Sequence, residues 1–211
     1  MTWLSVGYAL YLPALALALR RVPWSRLRDN TTMHLFLGSC VGLMVLWVLK
    51  AGIAPGLNLH LLGATWFTLV FGWPLAVLGM SVVLLGITIV GMSGWAAFAL
   101  NALVLVVAPV STSHLLHRLI ERWLPRQLFV YLFGSGFFNA AAAMVASAAV
   151  ATSLLLASGA YHWDRLASDY LPYALLVTFP EAFITGAGLS YLVVYHPQWV
   201  ATFREEVYLG R

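Results

Sequence analysis

The chain has 211 residues, of which 62% are hydrophobic and only 9% are charged. Apolar blocks this long exclude a soluble globular protein. The net charge of +4 does not indicate nucleic-acid binding, because the arginines are confined to a few short loops. The composition therefore predicts an all-α polytopic transmembrane helix bundle, embedded in lipid and forming a single domain over residues 1–211.

The first apolar block covers residues 3–19 and is followed by Arg20, Arg21, Arg26 and Arg28. A secretory signal peptide carries its positive charge before its apolar core, whereas here the charge follows it. We therefore expect this segment to be retained. Arginine-rich loops remain in the cytoplasm, which places the amino terminus outside.

A second block, residues 35–53, then returns to the outer side. Lys50 lies near its end, where we expect the long side chain to reach the membrane interface. Cys40, the single cysteine, can form no disulfide within the chain and is interpreted as a small core residue, with a soft metal ligand as the alternative. This path places His60 on the outer side.

Residues 61–91 carry no charge, and as one helix they would be about 46 Å long, against a hydrocarbon core of about 30 Å. The Gly72-Trp73-Pro74 sequence interrupts them, and proline breaks or kinks a helix. The next block, residues 95–117, precedes a second arginine cluster, so both ends of the 61–91 stretch should be outside. We predict a helical hairpin with a short arm at 61–71, which could be re-entrant, and a second arm to about residue 90.

Two further blocks, residues 128–158 and 169–195, complete a bundle of about seven helices (six to seven), with a cytoplasmic carboxyl terminus. The loop between them should be outside. Small residues recur every fourth position in the first of these blocks, a pattern that permits close helix approach either within the chain or to another membrane subunit. They are Ser135, Asn139, Ala143, Ser147 and Ala151.

Motifs for enzymatic chemistry are missing from the sequence. Lys50 is the only lysine and no GxxxxGK[ST] loop occurs, so ATP hydrolysis for transport would have to come from a different polypeptide. No HExxH or GxSxG pattern is present, which predicts that the chain is not an enzyme. His114 and His117 share a helix face beside the inner arginines, and we interpret them as interfacial residues, with a cytoplasmic metal site as the alternative.

Two residues remain as candidates for function. His60 follows a Pro-Gly break at the start of an apolar run, where an imidazole can face water while a packed helix holds it; a helix-capping or headgroup-facing histidine is the alternative. Glu181 lies deep in an apolar block, where an ionisable group is costly and indicates function. We expect Thr185, Asn101 or a histidine to be its partner, and a structural lock between two helices is the alternative to a functional role.

Four short motifs in order are similar to a known family. They are LHLLGA at 59–64, FGWP at 71–74, NAL at 101–103 and FPEAFITG at 179–186. The sequence resembles the membrane substrate-capture components of nickel and cobalt energy-coupling-factor (ECF) transporters, the CbiM/NikM type. The resemblance implies a compact bundle of about seven helices in the bacterial plasma (inner) membrane, with an outside amino terminus.

The resemblance also implies a metal site near the outer face. In this family the ligands are the terminal amine, here that of Met1, a histidine at position two, and a histidine that corresponds to His60. The sequence has Thr2 at the second position, so one nitrogen ligand is missing. His162, Asp164 and Asn58 are the candidates to replace it.

The function that the resemblance implies is uptake of a divalent metal, nickel or cobalt, together with a transmembrane coupling subunit and cytoplasmic ATPase subunits. No organic cofactor is expected. The alternative is a non-transporting accessory or scaffold protein of the same fold, with altered metal specificity, such as copper or zinc, or with no metal binding.

Overall fold

The computed structural model describes residues 3–54 and 57–210 and confirms the predicted helical membrane architecture. In this part of the chain, five helices are long and apolar enough to cross a bilayer. They are α1 (Trp3–Arg21), α2 (Asn30–Val48), α5 (Trp95–Trp123), α6 (Val130–Ala157) and α8 (Leu171–Tyr195).

Shorter elements complete the described chain. The helices are α3 (Ala64–Phe71), α4 (Trp73–Ile89), α7 (Trp163–Asp169) and α9 (Glu205–Tyr208), with 3₁₀ turns at Trp24–Arg28 and Pro197–Trp199. Two strands, β1 (Ala51–Ala54) and β2 (Leu57–Leu59), pair as a small antiparallel hairpin that the sequence did not predict. Met1, Thr2 and the Pro-Gly break at residues 55–56 lie outside the described residues.

The predicted helical hairpin is confirmed, and its first arm is a single short helix. α3 has only eight residues, which corresponds to a length of about 12 Å. Gly72, with φ 87°, joins it to α4, and Pro74 stands in the first turn of α4, where its missing N–H costs nothing. Seven of the eight α3 residues are buried, so this arm lies inside the protein rather than against lipid.

The carboxyl-terminal segment completes the far end of α3. The backbone N–H of Ala201 donates to Val70 O (3.0 Å), and that of Thr202 donates to Leu69 O (3.2 Å). The Thr202 hydroxyl also donates to Leu69 O, at 2.9 Å. The last carbonyls of a helix have no partner within the helix, and an unsatisfied one is costly away from water. The tail is therefore part of the packed structure.

The small-residue stripe on α6 faces α5 of the same chain. Asn139 Nδ2 donates to the Ser113 carbonyl (3.0 Å), and the Ser147 hydroxyl donates to Val104 O (2.7 Å). Val104 lies in a π-helical stretch, Leu103–Val107, where the N–H five residues later would normally pair with its carbonyl. That residue is Pro109, which has no N–H, so Ser147 supplies the missing donor.

The two α5 histidines differ from the prediction that both are interfacial. His117 is only 4% exposed, and its Nδ1 lies 3.0 Å from Ser135 Oγ. Its Nε2 lies 3.7 Å from Glu121, whose other carboxylate oxygen accepts a hydrogen bond from the Tyr208 hydroxyl at 3.0 Å. His117 is thus part of a buried polar cluster that ties α9 to α5. His114 is only partly exposed and packs against the Trp73 ring.

Two other side chains can be placed from their contacts. Cys40 is buried, with Sγ 3.8 Å from Gly79 O, as expected of a small core residue. Lys50 Nζ donates to Met92 O at 2.8 Å, which ties the loop after α4 to the end of α2.

Candidate metal site

A partly open cavity of about 110 Å³ lies where β2 and the loops after α2 and α4 meet α5 and α6. His60 lines it, together with Asn58 and Asn101. The structure therefore brings together three of the residues predicted from the sequence. They come from distant parts of the chain, and the helix bundle places them around one space.

The position of His60 follows from its local packing. Leu57 and Leu59 are buried, and the alternation along β2 leaves Asn58 between them exposed. The indole N–H of Trp47 donates to Leu62 O at 3.3 Å. The Trp47 ring also packs against the His60 imidazole, with the ring centroids 5.0 Å apart. The imidazole is thus held between a buried strand and a buried tryptophan.

The two ring nitrogens of His60 have different roles. Nδ1 lies 3.0 Å from the Leu61 carbonyl oxygen. A carbonyl can only accept, so Nδ1 must carry the proton, which leaves the lone pair on Nε2. Burial lowers the pKa of His60, and the nearby positive charge of Lys50 lowers it further, while the hydrogen bond to Leu61 opposes both effects. Neutral imidazole is the form that binds a metal.

Glu181 supports the same loop from α8. Its Oε2 accepts from the backbone N–H of Leu62 (2.7 Å), and its Oε1 accepts from that of Gly63 (2.8 Å). The sequence-based expectation of a side-chain partner, Thr185, Asn101 or a histidine, was wrong in this respect. Glu181 caps the start of α3, the position where a helix leaves N–H groups unpaired and favours negative charge.

Gly63 makes this cap possible. Its φ is +68°, and a Cβ at this position would lie 2.8 Å from Leu43 Cδ1. Glycine adopts this left-handed conformation without strain, and a larger residue would also have to displace the Leu43 side chain. The chain can therefore turn directly from His60 into α3 while its amides face Glu181.

Thr185 and Asn101, the two polar residues expected as partners of Glu181, are placed differently from that expectation. Thr185 is buried one turn along α8 and lines, with Glu181, a separate apolar groove between α2 and α8. Asn101 Nδ2 donates to Ser93 Oγ at 2.9 Å in the wall of the His60 cavity. Asn101 is thus a residue of the candidate site rather than a partner of Glu181.

The other candidate ligands do not join His60 in the described structure. His162 and Asp164 are exposed at the start of α7 and do not line the cavity. Met1 lies outside the described residues. Within residues 3–54 and 57–210 no group of three or more His, Cys, Asp or Glu side chains could hold a metal ion.

Sequence reasoning missed several residues of the cavity wall. Lys50, Ser93 and Tyr170 contribute polar groups, and Met92 and Met144 contribute thioethers. None of them belongs to a recognisable motif. The fold alone brings them to His60.

Comparison with known proteins identifies the family. A family model described as CbiM, the cobalt uptake substrate-specific transmembrane region, matches residues 1–199. No curated protein matches the chain significantly.

Two solved structures share the fold. One, described as a truncated transition metal transporter, has a TM-score of 0.70 and 20% identity, and the alignment covers 92% of this chain and 94% of that chain. The other, described as a transition metal transporter, has a TM-score of 0.68 and 20% identity, with coverage of 90% and 87%. Since the family match extends over nearly the whole sequence, this chain belongs to the CbiM family and is a membrane component of a metal-uptake transporter.

Proposed function

We propose that this protein captures a divalent transition metal ion, nickel or cobalt, in the His60 cavity. The observation that supports the proposal is the state of the imidazole. Its Nδ1 is paired with Leu61 O, its pKa is lowered, and the lone pair of its Nε2 is left to bind a metal. A nitrogen donor of this kind suits nickel and cobalt, as well as copper and zinc.

The terminal amine of Met1 is the proposed second ligand. Trp3, at the start of α1, lines a small cavity that shares Asn101, Val104 and Ala151 with the wall of the His60 cavity. Two residues of chain extend over at most about 7 Å, so Met1 can be in reach of the same space. Asn58 is the proposed additional ligand where the family has a histidine and this chain has Thr2.

The membrane arrangement that we propose is one domain of seven helices, in which the five long helices cross the bilayer and the short α3 and α4 form a hairpin whose two ends are outside. The arginine clusters at the carboxyl-terminal ends of α1 and α5 and in the loops that follow are cytoplasmic, so the amino terminus and the His60 cavity face outside and the carboxyl terminus is inside. In this arrangement the protein takes metal from outside the bacterial plasma membrane.

Energy for transport must come from partners, because the sequence contains no phosphate-binding loop. We propose that a transmembrane coupling subunit and cytoplasmic ATPase subunits of an ECF transporter drive release to the inside. The chain itself acts as the capture component and catalyses no reaction.

The direct test is calorimetric titration of purified full-length protein with Ni(II) and Co(II). His60→Ala removes the imidazole, and we expect it to abolish high-affinity binding. His162→Ala is the matched control, since that histidine is exposed and lies outside the cavity; it should bind as the unmodified protein does. Unchanged affinity in His60→Ala would show that the site is elsewhere.

A second candidate function is a non-transporting accessory or scaffold protein of the same fold. Thr2 in place of the family histidine, and a single histidine in the cavity wall, favour it. Mass-spectrometric metal analysis of protein purified without chelators separates the two. A metal content near one ion per chain that His60→Ala removes supports capture, and its absence supports the scaffold. Neighbouring genes for ATPase and coupling subunits would also favour transport.

A further inference from the structure

A groove of about 520 Å³ lies between α2 and α8, and every fourth residue along one face of α2 lines it. These residues are His34, Gly38, Gly42 and Leu46. They span about 18 Å of helix. Thr185 and Gly188 contribute to the wall formed by α8. Both walls of this α2–α8 groove are membrane-spanning helices, so whatever fills the groove lies within the bilayer.

Gly38 and Gly42 differ from the other helix glycines of the described chain. A Cβ at either position would contact no other described residue within 4 Å. At each of the other helix glycines a Cβ would lie within 3.5 Å of a neighbouring atom, as at Gly188, where Trp66 is 2.7 Å away. Glycine is unfavourable inside a helix, and elsewhere in this chain it permits close packing. Two glycines four residues apart on an open face of a transmembrane helix therefore indicate close approach by a helix from outside the chain.

Two residues that line the groove carry hydroxyl groups without a partner in the described chain. Thr68, Ser81 and Ser190 show the usual arrangement, since each hydroxyl donates to the carbonyl four residues earlier, at 2.7, 2.7 and 2.8 Å. Ser39 and Thr185 make no such bond within residues 3–54 and 57–210, although Thr185 is only 3% exposed. An unpaired hydroxyl within the bilayer is unfavourable. A lipid acyl chain offers it no polar group, whereas a protein helix does.

The helix that complements this groove is α2 itself. Leu37, Val41 and Val45 are 50%, 61% and 58% exposed and form a ridge along α2. The ridge runs beside the row that contains Gly38 and Gly42, where two side chains are missing and the helix surface forms a valley. Copies in one membrane share their orientation, so a two-fold axis along the membrane normal brings two α2 helices together in parallel. The ridge of each helix then packs into the valley of the other.

We propose that the protein forms a symmetric dimer in the membrane, in which α2 of each copy lies in the α2–α8 groove of the other. The hydroxyls of Ser39 and Thr185 then bind polar groups across the interface. Leu61 and Gly63 also line the groove, so the interface extends to the start of α3. Dimer formation is independent of metal capture at His60.

The test is energy transfer between donor-labelled and acceptor-labelled full-length chains, labelled at the carboxyl terminus, in phosphatidylcholine vesicles. We expect energy transfer that falls as the vesicles are diluted with lipid, as a reversible dimer requires. Gly38→Leu and Gly42→Leu fill the valley, and each should weaken the dimer at least tenfold. Val194→Leu is the matched control, because it enlarges a lipid-exposed side chain of α8 outside the groove, and it should leave the dimer unchanged.

Two further measurements separate contacts between copies from contacts within one chain. Thr185→Val removes the hydroxyl and keeps the shape of the side chain, so the dimer should weaken about threefold, the usual contribution of a hydrogen bond between transmembrane helices. Thermal unfolding of Gly38→Leu and Gly42→Leu is measured in detergent, at a dilution where the protein is monomeric. Leucine favours a helix more than glycine does, and no described residue is in its way, so the unfolding temperature should not fall.

Each outcome supports or overturns the dimer. Energy transfer that the two glycine variants weaken, with an unchanged unfolding temperature, supports it. Absence of energy transfer in the unmodified protein at every protein-to-lipid ratio overturns it and leaves the groove to lipid or to a different subunit. Energy transfer that both glycine variants leave unchanged shows that the copies meet at another surface. A lower unfolding temperature of the monomeric glycine variants shows that the glycines serve the chain itself, which also overturns the proposal.

Discussion

The tautomer and the orientation of the neutral His60 side chain are set by its neighbours. The Leu61 carbonyl fixes its tautomer, and Trp47 fixes the plane of its ring. The Trp47 contact comes from a buried residue near the end of α2, and the Leu61 contact comes from the next residue in the chain. The orientation of the imidazole is therefore set before any ligand binds, which reduces the entropic cost of binding.

The pH dependence of metal binding should carry the signature of this environment. The pKa of His60 is lowered from 6.5 by burial and by Lys50, so the folded protein keeps the imidazole neutral at pH values where a free histidine is already protonated. The contribution of His60 to the metal affinity is present above the lowered pKa of His60 and is lost as pH falls through that value. As pH is lowered, the metal affinity should fall first near the ordinary pKa of an α-amino group, about 7.7–8.0, since the amine of Met1 is the proposed second ligand. It should fall again below about 6.5, where His60 is protonated. A single decline that is complete above pH 6.5 would contradict the assignment.

Residue identity could be predicted from the sequence more reliably than residue contacts. His60 was selected from its position after a Pro-Gly break, Asn58 as a replacement for the ligand missing relative to the resembled family, and Asn101 as a partner of Glu181; all three line one cavity. Glu181 was selected for its depth in an apolar block, but its partners are backbone amides 118 and 119 residues away. Backbone N–H groups occur at every residue, so no sequence pattern could have indicated which of them the carboxylate contacts. Lys50 was missed for a similar reason, since its direction depends on the loop after α4.

At the level of elements, α3 is a short helix that is stabilised from outside at both ends. Glu181 of α8 accepts from the amides at its start, and the backbone of residues 201–202 donates to the carbonyls at its end. The sequence predicted a short arm over residues 61–71 that ends at Gly-Trp-Pro, because the uncharged stretch is too long for one crossing; the observed helix ends there but starts three residues later. The β-hairpin before it was not predicted, because strands of four and three residues carry too little periodicity to be recognised.

Removal of the Glu181 carboxylate should destabilise α3 and the loop that carries His60. Glu181→Ala leaves the amides of Leu62 and Gly63 without this acceptor, at a cost of about 1–3 kcal/mol for the buried Leu62 amide and less for the partly exposed Gly63 amide. Glu181→Gln keeps one acceptor oxygen and should lose less. Both changes should lower the thermal unfolding temperature in detergent and weaken Ni(II) binding. Glu181→Ala should have the larger effect on each quantity.

Thr178→Val is the control for the Glu181 variants, because it removes an exposed hydroxyl from the same helix. Its unfolding temperature should differ little from that of the unmodified protein. Equal stability of Glu181→Ala and Thr178→Val would show that the two hydrogen bonds to Glu181 contribute nothing.

Across the whole molecule, the tail and the candidate site are linked through α3. Thr202 binds the carboxyl-terminal end of α3 and also shares a hydrogen bond of 2.7 Å with the Tyr131 hydroxyl. Phe203 and Tyr208 pack on the Tyr131 ring, with centroid distances of 5.1 and 4.8 Å. His60 lies just before the other end of the same helix.

Deletion of residues 200–211 should therefore affect metal binding at a distance. The carbonyls of Leu69 and Val70 would lose their donors, and the packing on Tyr131 would be lost with them. We expect a lower unfolding temperature and weaker Ni(II) binding, measured in the same preparation. Deletion of residues 210–211 alone removes none of these contacts and should leave both quantities unchanged. Identical behaviour of the two deletions would show that the tail does not support α3.

The dependence of α3 on distant partners also sets an order for assembly. Ribosomes synthesise α3 more than a hundred residues before Glu181 and Thr202, and a helix of about 12 Å cannot span the hydrocarbon on its own. During synthesis the backbone N–H and C=O groups at the two ends of this segment would have no partners in the lipid interior. It must wait at the membrane surface or in the insertion machinery until α8 has entered the bilayer. We therefore expect the loop that carries His60 to be among the last parts of the protein to reach its final position, although it is encoded in the first third of the sequence.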